Sequence, residues 1–191
     1  MRLKAQGNQA FAPFCCVQIE VQQPPFNADP PPKIEQLHLR QVAQALAAFC
    51  QLQQGRLRVL FNGAGILRTG AFESIDLAEH QRLLQINVLG LLNLTYAAFP
   101  YLKAAQGAQV INMGSASGLY GVPLMASYSA SKFAVRGLTE ALELEWREHG
   151  IRVGDLMPPF VNTPMVRSQT QRPPVMRRLG VRLEAEQIAE A

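Results

Sequence analysis

The chain has 191 residues, 48% of them hydrophobic and 17% charged, with a net charge of +4. That length and balance describe one globular domain with a core of its own and exclude a disordered chain. Three cysteines (Cys15, Cys16, Cys50) make no disulfide framework, and His38, His80 and His149 share no ligand spacing, so a reducing, cytoplasmic setting without a metal site is expected.

The opening "MRLKAQGNQAFAPFCCV" has a basic start and a short apolar run, but a proline interrupts it and no small-residue cleavage site follows. No stretch approaches the roughly 20 apolar residues of a membrane span. "FAPFCCVQIEV" reads as a strand. After it, "QQPPFNADPPP" sets five prolines between Gln22 and Pro32, which forbids helix and discourages a central strand. Residues 1–32 therefore read as an atypical Pro/Gln-rich lead and residues 33–191 as the folded domain.

From Lys33 onward strands alternate with helices. "IEQLHL" (Ile34 to Leu39) alternates as a strand does. A helix follows, with Val42, Leu46, Phe49 and Leu52 on one face and Gly55 as its stop. "RVLFN" is a short strand ending in "GAG". Asp76 to Ala105 is helical in pattern, with Asn87 inside it. Ala108 to Met113 is a β-branched strand leading into "GSASG".

Tyr128 to His149 reads as a long helix, capped by Ser127 or Ser129, stopped by Gly150, and carrying the i,i+4 pair Glu143 and Arg147. "IRVGDLMP" is the next strand, closed by Pro158 and Pro159. Pro164 to Leu183 then carries Arg167, Arg172, Arg177, Arg178 and Arg182 with no acid. A solvated loop is the plain reading and an anion-attracting lid the sharper one. Nucleic acid is not expected, since no aromatic platform or recognition motif accompanies the charge. Leu183 to Ala191 begins another helix.

This alternation predicts an α/β fold with a parallel sheet. Ligands of such sheets bind beyond the carboxyl ends of the strands, so the segments to examine are Asn62–Gly65, Gly114–Gly118 and Pro158–Thr163. Tyr128 and Lys132 stand one helical turn apart and share a face. A nearby ammonium favours phenolate, so the pair makes a sensible acid/base unit for a proton on oxygen. Ser115 sits at the mouth of a strand, where a hydroxyl could orient a substrate oxygen. Asn87 is a poor helix former placed mid-helix. The plain alternatives are a solvated lysine, a loop serine and a buried amide.

Taken together, "FNGAGI", "INVLG", "INMGSASGLYG", "ASYSASKFAVRGLTEAL" and "MPPFVNTPM" resemble the short-chain dehydrogenase/reductase family, with Ser115 thirteen residues before Tyr128. The resemblance runs from about Arg56 onward and implies a Rossmann-like, doubly wound sheet. It also implies NAD- or NADP-dependent interconversion of a secondary alcohol and a ketone. Tyr128 would be the general acid or base, Lys132 would lower its pKa and bind the nicotinamide ribose, Ser115 would position the substrate oxygen, and Asn87 would hold a water. Asn62, Gly63, Ala64 and Gly65 would line the adenosine side of the cofactor cleft. Pro158, Val161 and Thr163 would cup the nicotinamide. Leu119, Tyr120, Val122 and Met125 would border the substrate.

Pairing into a homodimer or homotetramer would use the helices around 84–102 and 128–149. Three positions depart from the family pattern: Gly63 stands where a second Asn is usual, Gly114 where Ser is frequent and Pro159 where Gly is common. A larger departure lies upstream. Family members open with a strand and a glycine-rich turn, whereas Gly7 is the single glycine before Gly55 here. The expectation is an incomplete family member, and the competing readings are a non-catalytic remnant that only associates with partners, or a product without function.

Overall fold

The computed structural model describes residues 2–6, 16–20, 39–51 and 54–190. Five strands form one sheet in the order β1 (Arg2–Gln6), β2 (Cys16–Glu20), β3 (Val59–Asn62), β4 (Gln109–Met113) and β5 (Arg152–Leu156). β1 pairs antiparallel with β2, and the remaining neighbours are parallel. The registers Leu60↔Val110 and Val110↔Val153 set three apolar side chains in a row across β3, β4 and β5.

Neighbouring strands β2 to β5 follow chain order, so every crossover moves in the same direction. Right-handed crossovers of one direction place their helices on one face of the sheet. Helix α1 (Leu39–Gln51) precedes β3. A continuous helical run made of α2 (Leu77–Leu84), a π-helical stretch (Gln85–Gly90) and α3 (Leu91–Lys103) joins β3 to β4, and α4 (Ala126–Glu145) joins β4 to β5. The core lies where these helices meet the sheet: Leu46 and Cys50 of α1, and Leu94, Ala98 and Leu102 of α3, pack with Leu60, Val110 and Val153. Burial alternates along β3 and β4, as expected of a sheet with one well-covered face.

The helix endings follow their sequences. α1 stops at Gln54 and Gly55, both in the left-handed region (φ 57° and 74°), with the Gly55 N–H bonded to the Cys50 carbonyl. A short 3-10 turn after α4 ends at Gly150, also left-handed at φ 68°. Three short helices follow β5: α5 (Pro164–Arg167), α6 (Pro174–Leu179) and α7 (Ala185–Ala189), the last closed by a Glu184/Gln187 capping box.

Three expectations are corrected. Leu39 opens α1 rather than ending a strand, its periodicity with Leu46 outweighing the short alternation before it, and residues 34–38 lie outside the described ones. The N-cap position of α4 is Met125, without a side-chain cap, because Ser127 and Ser129 both fall inside the first turn and bond elsewhere. Against the expectation that no stretch approaches a membrane span, the run Leu77–Lys103 has the length and apolarity of one. Its buried residues Leu83, Ile86, Leu94, Ala98 and Leu102 are packed into the protein's own clusters, as in a core helix.

Candidate active site

The carboxyl ends of β3, β4 and β5 open on the same side, and a polar layer floors them. Asn62 and Asn112 follow Leu60 and Val110 by two residues, so they point to the same face as the core. Thr139 donates its hydroxyl to the Val135 carbonyl (2.8 Å) and therefore accepts from Asn112 Nδ2 (2.9 Å). That turns Asn112 Oδ1 toward Asn62, whose Nδ2 donates to it at 2.8 Å and to Thr95 Oγ1 at 3.0 Å. The orientation of each amide is thus fixed by the one before it. All four side chains are buried, and Asn62 Oδ1 is left without a partner among the described residues. Asn62 was expected to line the cleft. It is 5% exposed, with its Nδ2 committed to Asn112 and Thr95 within the floor.

Above that floor lies the loop Gly63–Gly70. Asn87 holds it: Oδ1 accepts from the Ile66 N–H at 2.8 Å and Nδ2 donates to the Ile66 carbonyl at 3.0 Å. Asn87 sits in the π-helical stretch, a wider turn that often marks a functional position in a helix. Its Nδ2 also donates to Ser131 Oγ at 3.1 Å, and Ser131 Oγ donates to the Tyr128 carbonyl at 2.7 Å. Ser131, fully buried, was not singled out from the sequence. Its place between Tyr128 and Lys132, three residues after the tyrosine, was the available signal.

Ser115 follows β4. Its Oγ accepts from the Ser117 N–H at 3.2 Å and shares a hydrogen bond with the Tyr128 phenol. The turn Ala116–Gly118 then presses against α4: a Cβ on Gly118 would stand 2.9 Å from the Lys132 carbonyl oxygen. Gly114 is equally constrained, since a Cβ there would stand 2.9 Å from the Leu156 carbonyl oxygen and 3.4 Å from Asp155 Oδ2. Any side chain at this position would have to displace the Leu156 backbone.

Tyr128 is half-buried against Ile66, Leu83 and Ile86 on one side and Leu67, Val122 and Met125 on the other. Burial pushes its phenol above the usual range, while the Ser115 hydrogen bond acts in the opposite sense. The Lys132 ammonium lies 5.5 Å from the Tyr128 ring centre and donates to the Met113 carbonyl at 2.7 Å. Lys132 is 5% exposed, and burial brings its pKa down to about 8. The resting site therefore holds a protonated phenol beside an ammonium that gives up its proton more readily than an exposed lysine.

The third wall follows β5. The Pro158 carbonyl accepts from the Ala116 N–H at 3.0 Å, binding this segment to the Ser115 turn. Val161 bridges to Leu183, and Thr163 caps α5. Phe160, Met165, Val166 and Val175 pack on Leu67, Val122 and Met125, so the arginine-rich segment rests over the Tyr128 side of the site. Of the residues expected here, Ser115 and Lys132 lie against Tyr128, Asn87 reaches the Tyr128 turn through Ser131, Gly65 faces Asn87 and Lys132, and Asn62 lies beneath.

Residues 36–174 match the family described as short chain dehydrogenase. Among curated proteins the chain is 43% identical over 111 residues to a 3-alpha-(or 20-beta)-hydroxysteroid dehydrogenase of Mycobacterium bovis, covering 58% of this chain and 43% of that one. It is 40% identical to a 3-ketodihydrosphingosine reductase of Bacteroides thetaiotaomicron, over 58% of this chain and 41% of the relative. Among solved structures it resembles a gluconate 5-dehydrogenase from Burkholderia cenocepacia in complex with NADP and tartrate. That match has a TM-score of 0.63 at 29% identity and covers 68% of this chain and 50% of the other. The chain thus spans half or less of the length of these relatives. Fold, site geometry and matched span agree: the chain belongs to the short chain dehydrogenase family.

Proposed function

We propose that the chain is an NAD- or NADP-dependent oxidoreductase interconverting a secondary alcohol and a ketone, with Tyr128 carrying the proton. The observation that carries this reading is the meeting of Ser115, Tyr128 and Lys132 at the ends of β4 and α4. In the ketone-reducing direction the protonated Tyr128 phenol donates to the substrate oxygen, which Ser115 orients. In the alcohol-oxidising direction the phenolate accepts that proton. Lys132 draws the phenol toward ionisation and replenishes it. Asn87 holds the loop at Ile66 and, through Ser131, the Tyr128 turn. With its amide committed in this way, its part in the proton path is to position that path.

A nicotinamide nucleotide supplies or takes the hydride when bound. Its nicotinamide half suits the residues present. Lys132 spends one of its three protons on Met113, leaving two for ribose hydroxyls. A Cβ on Gly65 would come to 4.0 Å from Lys132 Nζ and 3.4 Å from Asn87 Oδ1, so glycine keeps that approach open. Ala64 lies beside Gly65, and Pro158, Val161 and Thr163 form the facing wall.

The exposed faces support self-association. Leu89, Leu92 and Tyr96 on the helical run and Phe133 and Leu144 on α4 are exposed apolar residues, and Gly137 leaves α4 open to close approach. We propose a homodimer or homotetramer through these helices, in the cytoplasm, where a free, buried Cys50 stays reduced. Thermal melting with and without NADPH and NADH tests the cofactor reading. The nucleotide that binds the folded state raises the midpoint, adding roughly 2.7 kcal/mol at 100 times its dissociation constant. No shift with either nucleotide would contradict the proposal.

A further inference from the structure

We propose that His80 is a positioning residue for Tyr128, acting through Ser127. The inference rests on Tyr128 being the proton carrier. α4 begins without a side-chain cap, and the loop before it contains Leu124 at φ 65°, a backbone conformation that disfavours a branched side chain. The turn bearing Tyr128 is therefore held from outside. The Gly70 N–H donates to the Leu124 carbonyl at 2.9 Å, and the Val122 N–H donates to Ser129 Oγ at 3.1 Å. A further tie comes from His80, on α2.

His80 is 9% exposed, with its ring stacked on Phe72 at 4.5 Å between centres. Its Nε2 lies 3.0 Å from the Phe72 carbonyl oxygen, which can only accept, so Nε2 carries the proton. Nδ1 of the neutral ring is then an acceptor, and Ser127 Oγ donates to it at 2.6 Å. The chain of bonds runs from the Phe72 backbone through the imidazole to the residue just before Tyr128. Glu79, the neighbour of His80 on α2, is engaged by Arg68 at 2.7 Å and by Arg82 at 3.5 Å, and among the described residues the bonds to the ring are those of the Phe72 carbonyl and Ser127. The ring is built to hold Ser127 in place rather than to relay a proton.

The test uses His80→Phe, which keeps the stacking and loses both hydrogen bonds, and His80→Asn, whose Oδ1 can stand in for Nδ1. Ser127→Ala and the His80→Phe/Ser127→Ala double variant complete the set. Two readouts apply: the Tyr128 ionisation midpoint, from tyrosinate absorbance referred to Tyr128→Phe, and kcat and KM for cyclohexanol oxidation with NAD+ or NADP+. His80→Phe and Ser127→Ala are each expected to admit water to the phenol and lower its midpoint by roughly half a unit. They should cut kcat roughly 10-fold with KM little changed, since sub-ångström misplacement costs rate rather than binding. The double variant should lose no more than either single one, and His80→Asn should recover most of the loss. Additive losses, or an unchanged or raised midpoint in both single variants, would overturn the proposal. If His80→Phe does not fold, Ser127→Ala and His80→Asn decide it. If no alcohol is turned over, the reading of the reaction has failed, and the ionisation midpoint still tests the role of His80.

Discussion

Gly118→Ala tests how the Ser115 turn is held against α4. The added Cβ would sit 2.9 Å from the Lys132 carbonyl oxygen and 3.2 Å from its carbonyl carbon. Both are backbone atoms of a buried helical turn, so they cannot rotate away as a side chain would. Relief to an ordinary 3.4 Å contact requires the turn to retreat by the difference, 3.4 − 2.9 = 0.5 Å. Overpacking of this kind costs about 1–3 kcal/mol. For a chain of this size each kcal/mol lowers the melting midpoint by about 2–4 °C. The Gly118 N–H bonds the Ser115 carbonyl at 2.8 Å, so the retreat carries Ser115 away from the phenol. Calorimetry should show a midpoint several degrees lower, and tyrosinate absorbance a Tyr128 midpoint raised further by loss of the Ser115 bond. An alanine variant melting within about 1 °C of the parent would refute the close contact and the argument built on it.

Asp155→Asn should stabilise the fold at neutral pH. Burial raises the Asp155 carboxyl above its usual range, Arg136 opposes that and Glu140 adds to it, and Oδ2 has no partner among the described residues. A raised carboxyl pKa means that folding favours the protonated form, so the parent loses stability as pH climbs from the ordinary aspartate range through the raised value. Melts across pH should show the variant ahead at neutral pH and level with the parent in acid; an unvarying gap would contradict the sign. Leu92→Glu places a charge in the exposed stripe of the helical run. Light scattering should then report a monomer where the parent is larger, with the melting midpoint of the monomer unit otherwise kept; unchanged mass would exclude that face.

The parts of this molecule governed by local pattern were legible in the sequence. The strands ending at Asn62 and Met113 announce themselves as short apolar runs, the second β-branched, and the stops at Gly55 and Gly150 by the left-handed backbone that glycine favours. The spacing of Tyr128 and Lys132 on one helical face required nothing beyond 3.6 residues per turn. What could not be read depends on partners far along the chain. Asn62 looks like a cleft residue until Asn112 and Thr95 claim its amide from other elements. Ser127 looks like a helix cap until His80, 47 residues earlier, takes its hydroxyl. The burial that raises the Tyr128 phenol is likewise visible only in the packed structure.

The central claim is that Tyr128 carries the proton in a hydride transfer. It is tested most directly by the rate at which purified parent and Tyr128→Phe change nicotinamide absorbance with a panel of secondary alcohols and ketones. The account predicts turnover by the parent and a loss of roughly 100- to 10,000-fold in the variant, the share a positioned general acid contributes. A variant as fast as the parent, both folded and both binding nucleotide, would contradict it.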